Sequence, residues 1–187
     1  GLSRAFTSKE LRCFFSHCKN PKLRLYFTLQ AFLGLRIGEV VKIQENDIMN
    51  GYKLLRVHTE KAKTTDFLPL SKAVGQMLFE WIKKHKARIE ASESYIFFSD
   101  NPYRKMPHIS PHWVRKEFRL IAAKANLNMS YGQSRWNEKV PYKKLYRLTT
   151  HSLRHYFATQ VYSLTKDIRQ TQKLMRHTDI KSTTIYT

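Results

Sequence analysis

The chain has 187 residues, with 34 Lys or Arg against 14 Asp or Glu, a formal net charge of +20. Its 42% hydrophobic and 13% aromatic residues supply a core and exclude disorder along the whole length. Two cysteines, Cys13 and Cys18, exclude a disulfide framework and a multi-cysteine zinc site. No apolar run approaches the roughly 18 residues of a membrane span, and no signal-peptide pattern opens the sequence. The expectation is a basic, soluble protein working inside the cell, cytoplasmic or nucleoid-associated. So large a positive excess calls for a polyanionic partner or self-repulsion. The Lys and Arg residues run from Arg4 to Lys181 among aromatics, which suits a nucleic-acid footprint better than a membrane helix.

In chain order, Thr7 and Glu10 form a capping box ahead of Leu11, Phe14 and Phe15, so a helix is predicted over Thr7–Lys19. Asn20-Pro21 reads as the N-cap and first residue of the next helix, apolar nearly all round and ended by Gly34. A short helix through Glu39–Lys42 follows. Asn50-Gly51 signals a type I′ turn. Lys53–Thr59 and Asp66–Leu70 read as paired strands around a polar turn at Glu60–Thr65. Helical spacing returns over Ser71–Lys86, and Tyr95–Phe98 is an apolar run of ambiguous type. Ser110-Pro111 opens a helix carrying Val114, Phe118, Ile121 and Ala125. Residues 126–147 have no clean period and read as a basic loop or irregular insertion. Helices are predicted over Thr150–Leu164, Asp167–Arg176 and roughly Lys181–Tyr186. The predicted fold is mostly α with one small antiparallel β-sheet (α+β), in one domain without internal repeat or linker.

The six glycines include no G-x-G-x-x-G and no P-loop, and H-E-x-x-H is absent, so neither a cofactor nor a metal is expected. On a helix, H-x-x-R turns both side chains to one face, where they can address one anion. Three such pairs occur: His85–Arg88, His112–Arg115 and His151–Arg154. Around the third, Leu153, Phe157, Val161 and Leu164 form an apolar stripe, placing His151 and Arg154 about 100° away, flanking the core. His177 follows Arg154 by 23 residues and Tyr186 follows His177 by 9. The same offsets from Arg88 or Arg115 meet Pro111 or Glu138 instead of histidine.

Here the chain resembles the tyrosine recombinase (integrase) family. H-S-L-R-H-Y-F-A-T at 151–159 is similar to the family's second box, and L-M-R-H-T-D-I-K-S-T-T-I-Y-T at 174–187 to the segment of its last histidine and nucleophile. A-F-L-G-L-R-I-G-E-V at 31–40 resembles the first arginine box, and T-E-K-A-K-T-T-D-F-L-P-L at 59–70 the hairpin that carries the family's lysine. The order Arg, Lys, His-x-x-Arg, His, Tyr is kept from about Leu11 to the end of the sequence.

The resemblance implies a site-specific recombinase that cleaves and rejoins double-stranded DNA through a 3′-phosphotyrosyl intermediate. Tyr186 would be the nucleophile, and Arg36 and Arg154 would clamp the non-bridging phosphate oxygens. Lys61 would protonate the leaving 5′-oxygen, with Lys63 as the other candidate. His151 and His177 would bond the phosphate and assist proton transfer. Glu39 would orient Arg36, and His155 is read as a structural partner. No metal, nucleotide or membrane is implied, and the full-length protein would act as a homo-oligomer, a tetramer on paired sites. The family often has glycine before its last histidine, where this chain has Arg176. It also carries an N-terminal DNA-clamping domain and a tail beyond the nucleophile, so residues 1–187 are expected to be a catalytic-domain fragment. Two alternatives stay open: a type IB-like topoisomerase, and a non-catalytic DNA-binding domain that has kept the fold.

Overall fold

A computed structural model describes residues 4–59, 63–135 and 142–176. The capping signals at the start of the chain act as their chemistry requires. In α1 (Ser8–His17), Thr7 Oγ1 accepts from the Glu10 amide at 3.1 Å, and the Glu10 carboxylate accepts from the Thr7 amide at 2.9 Å. Asn20 caps α2 (Pro21–Leu33) through the Lys22 and Leu23 amides. Because α2 is apolar nearly all round, it becomes the buried axis of the domain, with Leu23, Tyr26, Phe27 and Leu29 at 1% exposure or less. Gly34 then ends the helix in the left-handed region at φ 64°. A short helix α3 (Ile37–Val41) starts two residues earlier than the sequence suggests, because Arg36 serves as its N-cap with Glu39 reaching back.

A three-stranded antiparallel sheet follows, β1 (Ile48–Met49), β2 (Leu54–Thr59) and β3 (Thr64–Pro69), in that order. Asn50 and Gly51 take the positive φ of a type I′ turn, but Tyr52 does too, at 65°. The connection is therefore longer than a two-residue turn. The Tyr52 ring meets Phe79 edge-on at 5.4 Å, and its carbonyl lies 2.5 Å from where a Cβ on Gly75 would stand. Pairing of β2 with β3 runs as far as Thr59 opposite Thr64, so the turn is shorter than the predicted Glu60–Thr65. Leu55, Val57 and Thr59 face the core, while Arg56 and His58 turn to the buried carboxylate of Asp47.

Ser71 caps α4 (Lys72–Lys84), and His85 separates it from α5 (Lys86–Ala91), a short helix absent from the sequence reading. Tyr95–Phe98 is neither helix nor regular strand. It makes isolated bridges, Gln44 with Tyr95 and Phe98 with His108, and buries Ile96 and Phe97 completely. Ser110 caps α6 (Pro111–Lys124), whose Phe118 lies 4.9 Å from Phe14 and 5.7 Å from Phe27 in an aromatic cluster. This cluster ties α6 and α1 to α2.

The stretch read as irregular contains a second antiparallel pair, β4 (Ser130–Arg135) and β5 (Tyr142–Tyr146). Its described side chains on both strands are exposed or half-exposed, so no alternation of apolar residues betrays it. Two helices close the described chain, α7 (Thr150–Thr165) and α8 (Ile168–Met175), with α7 packed along α2. The stripe inferred for α7 holds at Leu153, which is fully buried, and fails at Leu164, which is 85% exposed. The predicted final helix at Lys181–Tyr186 lies outside the described residues. Among those described, no helix is long and apolar enough to cross a membrane.

At Gly34 an added Cβ would stand 2.4 Å from the Phe157 ring of α7, besides forcing an L side chain to φ 64°. Gly34→Ala is therefore expected to lower stability by about 2 kcal/mol or more, read as a lower urea midpoint at unchanged m-value.

Candidate active site

Four separated segments meet where α2 ends. The Gly34 carbonyl lies beyond the last turn of α2 and cannot be satisfied within it. Arg154, from the second turn of α7, donates Nη1 to that carbonyl and Nη2 to the Met175 carbonyl at the end of α8. Its side chain belongs to a residue only 1% exposed. The sequence reading places Arg154 beside the core; the structure buries it. The reason is distant: its carbonyl acceptors come from residues 34 and 175, which helical periodicity does not register.

Arg36 approaches the same point from α3. Its amide donates to Glu39 Oε2 at 2.7 Å, its Nη1 to Glu39 Oε1 at 3.1 Å, and its Nη2 to the Arg176 carbonyl at 3.5 Å. The two predicted arginines thus hold consecutive carbonyls, 175 and 176, at the C-terminal end of α8, where the helix dipole favours cations. Glu39 is the charged partner in this group. Its side chain is 1% exposed, and it also accepts from Arg176 Nη2 at 2.7 Å. Arg176 completes the circuit by donating to the Gly34 carbonyl at 3.4 Å.

Three guanidinium groups linked through one carboxylate and one carbonyl carry more positive charge than the carboxylate offsets. Buried charge is stable only when paired, so such a cluster suits a further anion. The Arg36 side chain retains 25% exposure, which leaves the cluster reachable from solvent. Planar guanidinium forks match the oxygens of a phosphate.

His151, in the first turn of α7, is exposed and lies edge-on to His155 at 5.0 Å. Both rings line a cavity of about 450 Å³ between α6, α7 and the β4–β5 pair, which also touches Ile37 next to Arg36. Arg115, Arg119, Lys143, Lys144 and Arg147 supply its basic wall. Arg115 belongs to one of the H-x-x-R pairs that fail the spacing rule, so it lines the site without belonging to the ordered set. Arg119 stacks on Tyr146 at 5.9 Å, and Arg147 is paired with Glu10.

Of the six residues predicted to act, the structure brings Arg36 and Arg154 together and places His151 one turn before Arg154 on α7. Lys61, His177 and Tyr186 lie outside the described residues. Lys63 stands exposed in the turn before β3, at φ 50°. Glu39 contacts Arg36 as the sequence reading anticipates. Arg176 was signalled only as an unexpected residue ahead of His177. Cys13 and Cys18 are free thiols, and burial raises Cys18 to a pKa of about 11, so it is inert as a nucleophile.

The site is thus a buried arginine cluster beside a basic cleft in a mainly helical domain. The model of the phage integrase family matches residues 4–187, and the chain belongs to that family. It is 28% identical over 186 residues to tyrosine recombinase XerA of Pyrococcus horikoshii, covering 100% of this chain and 57% of that protein. Against tyrosine recombinase XerC of Pseudomonas fluorescens it is 26% identical, covering 93% of this chain and 49% of the relative. The chain thus spans about half the length of these relatives. Its fold matches the crystal structure of XerA recombinase with a TM-score of 0.74 at 19% identity, covering 97% of this chain and 57% of that one. It also matches XerH site-specific recombinase bound to its difH substrate, with a TM-score of 0.73 at 19% identity, covering 100% and 51%.

Removing the carboxylate from the arginine cluster leaves two cations without their counter-ion. Glu39→Ala is expected to destabilise the fold by about 3–5 kcal/mol, measured by urea unfolding.

Proposed function

We propose that this chain is the catalytic portion of a site-specific DNA recombinase that cuts and rejoins strands through a tyrosine–DNA ester. The observation that carries the reading is the convergence of Arg36 and Arg154 on the end of α8, with His151 on the same helix as Arg154. The recombinase names of the relatives support exchange of strands over supercoil relaxation.

In this reading the phosphodiester sits against the arginine cluster, which neutralises charge developing on the non-bridging oxygens. Phosphoryl transfer depends chiefly on such positioning and charge stabilisation. The Tyr186 oxygen bonds to phosphorus as the bond to the 5′-oxygen breaks. A free phenol ionises near about 10, so its proton must be taken as it attacks, and the histidines are the candidates. Lys61 delivers a proton to the departing 5′-oxygen. One phosphate ester replaces another, so a 5′-hydroxyl from a second strand reverses the step without nucleotide energy. Neither a metal ion nor a hydrolytic water enters this sequence. Duplex DNA is the substrate, and exchange of strands calls for a homo-oligomer, a tetramer on paired sites.

The reading is tested by incubating the full-length protein with nicked suicide DNA in chelator. A detergent-resistant adduct that vanishes in Tyr186→Phe is expected. An undiminished adduct in that variant places the nucleophile elsewhere, and relaxation of any supercoiled plasmid without site preference would favour a topoisomerase.

We further propose that the β4–β5 pair is a DNA-contacting insertion, since Lys143 and Lys144 extend the basic wall beside His151. Each phosphate contact contributes about −0.9 to the slope of log affinity against log salt. The parent slope should be steeply negative, and Lys143→Ala with Lys144→Ala should flatten it by about one to two. An unchanged slope removes the hairpin from the DNA interface.

A further inference from the structure

Arg176 combines three features that a solvated helix-end arginine lacks. Its backbone is left-handed at φ 55°, a conformation that glycine adopts freely and a side-chain-bearing residue adopts with strain. Its side chain is 6% exposed. Nη2 is held by Glu39 at 2.7 Å and by the Gly34 carbonyl at 3.4 Å, whereas Nε and Nη1 are buried without a hydrogen-bond partner. Strain and unmet donors are both destabilising, and they persist where the surrounding structure over-determines them. The group that does so here is Glu39, which also holds the amide and Nη1 of Arg36.

We infer that Arg176 is a positioning residue for strand cleavage, acting through Glu39 on Arg36 and through the shared Gly34 carbonyl on Arg154. Glu39 offers Oε2 to the Arg36 amide and to Arg176 alike, and Oε1 to the Arg36 guanidinium. With one oxygen pinned from the α8 side, the carboxylate has a fixed plane, and the Arg36 fork it orients has a fixed direction. Arg176 also shares the Gly34 carbonyl with Arg154, so the two sequence-predicted arginines are referenced to one another through it. Glycine at this position would take the same backbone conformation with less strain and would make none of these contacts. The arginine exchanges backbone ease for a tie across 137 residues of sequence. It is also the residue immediately before His177, so the tie fixes where the described backbone hands over to the segment bearing His177 and Tyr186.

The inference rests on the strand-cleavage reading, and its test separates the two. Arg176→Gly and Arg176→Lys are made in the full-length protein. Single-turnover adduct formation is measured on saturating nicked DNA, affinity is measured by gel shift in a Tyr186→Phe background, and melting temperature is recorded. Arg176→Gly is expected to cut the adduct rate at least tenfold with affinity changed less than threefold and the protein still folded. Arg176→Lys, which keeps the charge facing Glu39, recovers part of that rate. An unchanged rate, or a loss that merely tracks affinity or folded fraction, overturns the inference. If the parent forms no adduct, the cleavage reading falls instead, and the linkage is read by hydrogen exchange. Protection of the Arg36 amide, which donates to Glu39, must then drop at least tenfold in Arg176→Gly; unchanged protection overturns it.

Discussion

The buried carboxylate of Glu39 is the constraint on which the rest of the structure depends. Taking a carboxylate and a guanidinium out of water is costly, and the pair is stable only with good geometry and further hydrogen bonds. Glu39 meets that condition by accepting three donors, from the amide and guanidinium of Arg36 and from Arg176. One of these bonds is the capping box that starts α3, so the start of α3 and the charge cluster form together. Another spans from α3 to the end of α8, closing the chain on itself. Local helix initiation and long-range closure therefore share one side chain.

Gly34 serves the same arrangement from the other side. As the left-handed residue after α2 it turns its carbonyl toward α7 and α8, where Arg154 and Arg176 take it. The absence of a Cβ also lets the Phe157 ring of α7 lie against the turn. The packing of α7 along α2 is thus what delivers Arg154 to its carbonyls. Placement of the arginine cluster in this fold is a by-product of how a buried central helix is ended.

Much of this organisation was legible in the sequence, and the division follows physical range. Caps at Thr7, Asn20, Ser71 and Ser110, and the stop at Gly34, act within four residues, and each stands where its chemistry implies. His151 and Arg154 were legible by their spacing to His177 and Tyr186, and Arg36 by the resemblance of residues 31–40 to the family's first arginine box. The burial of Arg154 was not, since the groups that solvate it lie at residues 34 and 175. Nor was the β4–β5 pair, because a ribbon exposed on both faces leaves no period-two pattern. Leu164 misled for the converse reason: an apolar residue at the end of a helix can outrun the core it seems to point at.

The distribution of charge gives the last step. A net +20 is a source of self-repulsion, and the few acids are not spread evenly to relieve it. Asp47 serves Arg56 and His58 beneath the sheet, Asp100 serves Lys22 and Arg88, and Glu10 serves Arg147. Burial alone would raise the Asp100 carboxyl, yet its contacts with Lys22 and Arg88 hold it below the usual range. These acids secure cations that hold the fold together. Arg115, Arg119, Lys143 and Lys144 face the cleft beside His151. Two kinds of positive charge follow: a buried cluster tied to one carboxylate, and an open wall along the cleft. The first sets geometry and tolerates salt, because the ions are shielded from solvent. In the proposed DNA-binding role the second sets affinity and yields to salt, because its counter-ions exchange freely.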